Sequence, residues 1–461
     1  MTAAVDPSKD VAAPALRADP ADAHQPRPTM SMAQMLAAFR DAGTDAVPGW
    51  LKQRRVAALA RAVEVGFPTT SDEEWRFTPI TPLLELPLHP AQPPAHRLTA
   101  GEIAPLTFGL EACRLVFVDG YFCGELSSLP APGGDLRAVS LRAALAGGAP
   151  ELEAHLTRVA GDEALIFTAL NTAFFRDGAL VVAAPGKAIA QPVHLLFIAT
   201  AGETGAAAHV RNLIVAGAGS EVKILETYVS LSDAPHFTNT VTELVLGAEA
   251  RVEHCKIQEE NHRAVHIADV QARQDRGSHW TSHSVSTGAK LARHQIQTLF
   301  DGEAGVCILN GLYLARGGQL ADYHTVVDHA KPRCESHEFY HGILSGNAHG
   351  VFNGKIFVRQ DAQKTNAKQN NRNLLLSDDA VVNTKPQLEI FADDVKCTHG
   401  ATVGQMDGEA LFYLRSRGIG LEQARQMMIR AFASDVVDRI PLEPVRAHLN
   451  HKLTERFKDK P

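Results

Sequence analysis

Residues 352–418 read FNGKIFVRQDAQKTNAKQNNRNLLLSDDAVVNTKPQLEIFADDVKCTHGATVGQMDGEALFYLRSRG, and this stretch decides the fold class. Short apolar runs within it are separated by clusters of Gly, Asn, Asp and Ser, a pattern typical of short strands joined by turns. The runs are residues 356–358, 374–376, 381–382 and 388–391. Because no helical period continues through the segment, the pattern predicts β-structure.

The same pattern extends outward over residues 106–417. A small turn followed by alternating residues recurs at 219–222, 247–250, 302–305 and 346–349. Coils of this kind cannot bury their inward faces alone, so they stack on their neighbours. The sequence therefore predicts a mainly β protein with a β-solenoid core. A β-sandwich is the alternative, because the repeat is irregular.

Helical patterns flank this core. Between residues 31 and 65 the apolar residues recur at helical spacing, and prolines between 86 and 96 mark a linker. After residue 418 two apolar stripes follow, and the second contains Leu449, Leu453 and Phe457. The predicted division is a disordered tail poor in large apolar residues over 1–29, an N-terminal helical domain and linker over 30–105, the core over 106–417, and a C-terminal helical domain over 418–461.

The composition limits the classes of function. The chain has 461 residues, of which 45% are hydrophobic, and its net charge of −7 argues against nucleic-acid binding, because phosphate contacts need a basic surface. Its six cysteines are scattered, which favours a reducing compartment over a disulfide framework. No run approaches the roughly 20 apolar residues of a membrane span, and the N-terminus lacks the pattern of a secretion signal. A cytoplasmic location without membrane contact is expected.

Cys397 and His399 are the main candidates for chemistry. In an extended backbone they lie on one face, because strand side chains alternate with period two. A thiolate and an imidazole can bind one soft metal or sulfur species, but two ligands are too few for a closed site. The remaining ligands have to come from elsewhere, including another chain. The alternative is a packing role, with the thiol acting as a small hydrophobe. Cys255, beside His254, is the candidate for a further sulfur-handling thiol.

Nucleotide and hydrolase motifs are absent from the sequence. There is no GxxxxGK[ST] loop for ATP phosphates, no GxGxxG followed by a helix and no GxSxG turn. The chain contains 21 histidines, yet none follows the HExxH or zinc-finger spacing. Any use of ATP is therefore expected to come from a partner.

Several motifs resemble the SufD branch of the SufB/SufD family, whose members belong to the SufBCD scaffold for iron–sulfur cluster assembly. They are QKTNA at 363–367, NLLLS at 373–377, PQLEI at 386–390, the segment 393–404 with its Cys-Thr-His-Gly-Ala-Thr run, and FYLRSRG at 412–418. Residues 73–78, EEWRFT, resemble a motif of the N-terminal region of that branch. The resemblance implies a right-handed parallel β-helix core flanked by helical domains.

The resemblance also implies a function. It predicts a non-catalytic scaffold subunit that pairs with SufB through the β-helix and binds the SufC ATPase, which supplies ATP hydrolysis. A nascent iron–sulfur cluster or iron, shared with SufB, would contact His399 and Cys397. The terminal helices, with Leu449, Leu453 and Phe457, would bind SufC. The alternative is that these helices cap the end of the solenoid. In isolation the chain is expected to be able to form a homodimer.

Two rival functions are also compatible with the sequence. A β-solenoid enzyme, such as a polysaccharide lyase or an acyltransferase, is compatible with the His and Asp content, although a shared fold does not establish a function. A lyase needs an acidic or metal-bearing groove with basic residues for a uronate, and an acyltransferase usually has regular hexapeptides. Neither feature is visible in the sequence. A binding module without chemistry is the other hypothesis. It predicts normal cluster yield when Cys397 and His399 are both replaced.

Overall fold

The computed structural model describes residues 30–39, 47–161, 165–200 and 202–456. The predicted tail over residues 1–29 and Phe457 lie outside the described residues.

A parallel β-solenoid forms the centre of the molecule, as the sequence predicts. Its strands in chain order are β1 His89–Pro90, β2 Cys113–Val118, β3 Tyr121–Phe122, β4 Leu136–Ser140, β5 Ala179–Ala183, β6 Val193–Ala199, β7 Ala206–Ala216, β8 Glu221–Ser230, β9 His236–Leu246, β10 Arg251–Glu259, β11 Val265–Gln274, β12 His279–Ser286, β13 Leu291–Phe300, β14 Val306–Arg316, β15 Leu320–His329, β16 Glu335–Ser345, β17 His349–Val358, β18 Asn366–Leu375, β19 Val381–Ile390 and β20 Lys396–Gln405.

From β5 onward, successive strands alternate between two sheets, so that each coil contributes one strand to each sheet. Sheet A runs in the order β19-β17-β15-β13-β11-β9-β7-β5-β4, and β1 pairs with β7. Sheet B runs in the order β20-β18-β16-β14-β12-β10-β8-β6-β2-β3. Pairing along both sheets is parallel except at β2–β3 and β4–β5, where the first strands fold back.

Helices lie at both ends of the chain, as predicted. They are α1 Met32–Ala38, α2 Gly49–Val65, α3 Thr81–Leu84, α4 Ala100–Ile103, α5 Leu141–Ala146, α6 Pro150–His155, α7 Ile166–Phe174, α8 Gly408–Ser416, α9 Leu421–Val437 and α10 Glu443–Arg456. Two positions differ from the sequence analysis. The helices α5 to α7 interrupt the region where strands were expected, and the last helical region begins at Gly408 instead of residue 418.

The helix α7 shows why strands were expected in a region where the structure has helices. All nine of its residues are buried. It lies between α2 and the outer face of sheet A, where it contacts β7 and β9. Its polar residues Thr168, Asn171 and Thr172 are buried against sheet A, where Thr168 donates to Asp269 and Asn171 donates to the carbonyl of Val210. Because the helix is short and exposes no face to water, periodicity does not separate it from a buried strand.

A buried ion pair fastens the segment before α7 to sheet A. Arg211 and Glu243 meet at 2.7 Å with fully buried side chains. Glu243 also accepts hydrogen bonds from the backbone N–H groups of Thr157, Val159 and Ala160. The carboxylate therefore compensates its burial with several donors, as a buried charge requires.

Large side chains fill the interior of the solenoid. Trp280, Tyr228, Tyr313, Tyr323 and Tyr340 are fully buried in it. They belong to one continuous apolar cluster that both sheets line. Each coil buries its inward face only against its neighbours, so the last coil is left with one uncovered side unless another element covers it.

The C-terminal helices do not cover that side. They pack on the outer face of sheet B, where Ile429, Val436 and Leu449 join an apolar cluster with Leu312 and Ile343 from the strands. The idea that these helices cap the solenoid end is therefore wrong. In the part of the chain that the structure describes, β19 and β20 end their sheets, each paired on one side only.

Candidate functional site

The last strand, β20, carries Cys397 and His399 at the open end of the solenoid. Cys397 is the register partner of Ala367, and His399 is the register partner of Gln369 on β18. Ala367 and Gln369 are buried side chains of the solenoid interior. Cys397 and His399 therefore share the inward face of the strand, as the alternation predicts, and stand above the end of the interior.

The two candidate residues differ in their surroundings. The side chain of His399 is exposed, whereas Cys397 is half-buried and packs against a small cluster that includes Ile356, Val358 and Ala367. Burial raises the pKa of the Cys397 thiol, and a hydrogen bond with the backbone of Ala367 opposes that rise. The thiol is therefore protonated at neutral pH until a metal or a positive charge favours the thiolate.

A buried polar column lies directly beneath His399. Gln369, its register partner, is 3% exposed, and its Nε2 donates to Glu338 Oε1 on β16 at 3.2 Å. Glu338 also accepts a hydrogen bond from the hydroxyl of Thr325 on β15. Burial raises the pKa of Glu338 to about 7, although the hydrogen bonds from Thr325 and Gln369 oppose the shift. This carboxyl group therefore changes its charge near neutral pH.

Asp393 and Asp394 carry the carboxylates nearest in sequence to His399, and such a group can hold the second ring nitrogen of a metal-binding histidine. Both are exposed and lie in the bend between β19 and β20, outside the strand. The backbone carbonyl of Asp394 accepts a hydrogen bond from Lys364, and its N–H donates to Gln363. The backbone of Asp394 therefore stabilises the turn, and neither residue belongs to the strand that carries His399.

Cys255 occupies a different environment from the one expected of a sulfur-handling thiol. It points outward from sheet B into the apolar cluster beneath the C-terminal helices, where it is 2% exposed. Burial raises the pKa of its thiol well above the ordinary value. Sulfur transfer needs an accessible thiolate, so the burial of Cys255 favours a packing role over the predicted sulfur-handling role.

Two of the three residues predicted to bind SufC, Leu449 and Leu453, are buried inside the fold, and the third, Phe457, lies outside the described residues. Leu449 and Leu453 are each 2% exposed because they face sheet B from α10. Neither side chain is available to a partner, so the prediction for these two leucines is corrected. The exposed apolar side chains of the helical region are instead Phe412, Tyr413 and Met427, which are 74%, 57% and 44% exposed.

A further polar cluster lies deeper in the solenoid and was not anticipated. Lys256 Nζ lies 2.6 Å from His266 Nε2 and 3.1 Å from His294 Nδ1. Burial lowers the pKa of Lys256 to about 7, although Glu226 and Glu260 oppose the shift. Alternation along single strands places each of these residues inward, but only the coil register brings them together.

Preformed metal sites and membrane-spanning helices are both absent from the described residues. Residues 30–39, 47–161, 165–200 and 202–456 contain no group of three or more His, Cys, Asp or Glu side chains arranged to hold a metal ion. Within the same ranges, every helix is too short or too polar to span a bilayer.

Comparison with known proteins decides the family. Residues 197–432 match the family described as SUF system FeS cluster assembly, SufBD core domain. The chain belongs to the SufBD family. This family match covers most of the solenoid together with β19, β20 and much of α9, and therefore includes the site around His399.

Individual relatives agree with this assignment. The chain is 34% identical to the iron–sulfur cluster assembly protein SufD of Escherichia coli over 408 residues, which cover 87% of this chain and 91% of the relative. It is also 34% identical to an iron–sulfur cluster assembly SufBD family protein of Synechocystis, with 87% of this chain and 89% of the relative covered. SufD of Bacillus subtilis is 28% identical over 295 residues. The chain is therefore a SufD-like member of the SUF system.

Proposed function

We propose that this chain is a scaffold subunit that pairs with SufB, binds the SufC ATPase and helps to build a nascent iron–sulfur cluster at the junction with SufB. The observation that carries the proposal is the open final coil. Its two strands present unpaired backbone groups, and its inward face carries Cys397 and His399.

The open end has the properties of a pairing surface. An edge strand offers a row of free N–H and C=O groups, which is a template for strands of another chain. Four apolar side chains are exposed at this end, namely Val381, Ile390, Phe391 and Val403. Strands from SufB would extend both sheets and cover these side chains. In isolation, a second copy of this chain would use the same edges.

The proposed cluster contact follows from this pairing. His399 stands at the rim of the uncovered interior, so a partner that extends the solenoid would bring its own side chains opposite the imidazole. A neutral imidazole binds iron, and thiolates from either chain would complete the site. Cys397 would join as a thiolate once iron lowers its pKa. The cluster is the product under assembly, shared between the subunits.

SufC is proposed to dock on the C-terminal helices through side chains that the fold leaves free. Phe412 and Tyr413 on α8 and Met427 on α9 supply exposed apolar area. Apolar side chains of this kind, above all aromatic ones, commonly anchor protein interfaces. Because the sequence lacks a phosphate-binding loop, ATP hydrolysis would take place on SufC, and its movement would reshape the junction through these helices.

The test is to co-produce the chain with SufB and SufC and to analyse iron and sulfide anaerobically in the parent and His399→Ala complexes. We expect the variant to keep its stoichiometry and to lose most of its iron. Thr398→Ala, an outward and exposed neighbour on the same strand, is the matched control and should retain iron. If the His399→Ala complex matures client enzymes as well as the parent, the proposed contact is wrong.

A further inference from the structure

Gln369 has a polar atom whose partner is missing from the fold. Its Oε1 is buried and has no hydrogen-bond partner among the described residues. The other end of the same amide is occupied, because Nε2 donates to Glu338. An unpaired buried acceptor costs roughly 1–3 kcal/mol, so a nearby donor that reached this atom would stabilise the fold.

The neighbouring residue with a suitable donor is His399. The two residues are register partners on adjacent parallel strands, so their side chains stand on the same inward face about 4.8 Å apart along the sheet. An imidazole ring has one N–H in each neutral tautomer. Because the His399 side chain is exposed, rotation of the ring onto the amide needs no change in the core.

A glycine on the opposite sheet makes room for this arrangement. A Cβ atom built at Gly354 would lie 2.2 Å from Nε2 of Gln369 and 3.0 Å from its Oε1. No side chain fits there while the amide holds its position. The space left by Gly354 and the carboxyl group of Glu338 together fix the amide in one orientation.

We infer that Gln369 is a positioning residue for His399: its Oε1 accepts one ring N–H, and the lone pair of the other ring nitrogen then points out of the open end. Histidines that bind metals usually donate their second N–H to a carbonyl or carboxylate, which fixes the tautomer. The inference extends the proposed role of His399 and names the group that prepares it. Glu338 contributes indirectly, because it accepts the hydrogen bond from Nε2 that holds the Gln369 amide in place.

The direct test is the tautomer of His399 in the isolated chain. Histidine is labelled with ¹⁵N, and the ring signals of His399 are assigned by their loss in His399→Gln. In the parent at pH 8 we expect two well-separated ring nitrogen signals, one protonated and one not. In Gln369→Met, which keeps the shape but removes the acceptor, the two signals should move together as the tautomers mix.

Two further variants keep this test decisive. Lys368→Met changes an exposed, outward neighbour on the same strand and should leave the His399 signals unchanged. The exchange Gln369→Glu with Glu338→Gln retains one carboxyl group and one amide in the column and should preserve the separated signals. The inference is overturned if a folded Gln369→Met protein, checked by its melting curve, gives the parent spectrum.

The assembled complex provides an independent second readout. With SufB and SufC present, Gln369→Met should retain iron roughly 10- to 100-fold more weakly, the range found when such hydrogen-bond partners are removed. The outcomes for the two proposals are distinguishable. If His399→Ala leaves iron unchanged, the cluster contact fails. If His399→Ala loses iron but the tautomer of His399 in Gln369→Met is the same as in the parent, the positioning role alone is wrong.

Discussion

Glu74 Oε2 lies 3.1 Å from His324 Nδ1, which joins the N-terminal segment to β15 across 250 residues of sequence. Beside this contact, the centre of the Trp75 ring lies 3.9 Å from the guanidinium carbon of Arg293, and Thr78 donates to Asp322 at 2.7 Å. The EEWRFT motif, which spacing alone would describe as a turn into a strand, is thus an anchor on the outer face of sheet A.

Trp75→Ala tests this anchor. We expect the variant to lose roughly 2–3 kcal/mol in the free energy of unfolding, below the range for a fully buried Trp because this ring is only half-buried. Urea unfolding followed by circular dichroism measures the difference. Arg76→Ala, an exposed neighbour, is the control and should change stability by less than about 0.5 kcal/mol. Equal effects in the two variants would refute the anchoring role.

Arg211→Met tests the buried ion pair with Glu243. Removing one partner leaves an uncompensated buried charge, so we expect a loss of roughly 3–5 kcal/mol in the free energy of unfolding. The double variant Arg211→Met with Glu243→Gln should recover part of this loss, because the amide oxygen still accepts backbone hydrogen bonds without a charge. A double variant no more stable than Arg211→Met alone would contradict this account.

Leu449→Asp and Tyr413→Asp separate packing from docking in the helical region. Leu449 is buried against sheet B, so the carboxylate should cost more than roughly 3 kcal/mol of stability and lower the melting temperature. Tyr413 is exposed, so Tyr413→Asp should leave the melting curve intact and reduce capture of SufC. If Tyr413→Asp binds SufC like the parent, the docking surface lies elsewhere on the helices.

Glu338→Gln tests the titration of the buried column. The folded-state pKa of Glu338 is raised from 4.5 to about 7, so the folded protein holds this proton more tightly than the unfolded chain does. Its stabilising contribution is complete below the unfolded pKa and is lost as pH rises toward 7. Between pH 5.5 and 8, the parent should therefore lose roughly 2 kcal/mol relative to Glu338→Gln. Chemical unfolding of both proteins at the two pH values measures this difference. Parallel pH profiles would show that Glu338 does not titrate in this range.

Several features could be predicted from local pattern alone. Turn clusters between short apolar runs identified the strands of residues 352–418, and the period of two placed Cys397 and His399 on one face. The prediction that Leu449 and Leu453 lie on one apolar stripe of a helix was also correct. Its target was not predictable, because periodicity shows that a face is covered and does not show by what.

The contacts that define the site depended on register. Gln369 and His399 are 30 positions apart in the numbering, and they are register partners only because the intervening turns give that coil its length. A change of one residue in a turn would place His399 above a different side chain. The same reason applies to Lys256 with its two histidines and to Glu74 with His324.

The sequence by itself determined the class of fold, the alternation that pairs Cys397 with His399, and the helical ends, because each depends on residues close together in the chain. Only the tertiary structure decided which end of the solenoid stays open, which apolar face the terminal helices cover, and which buried amide lies under His399. These depend on how coils stack and on where helices find apolar surface, and both are set by contacts between residues distant in sequence.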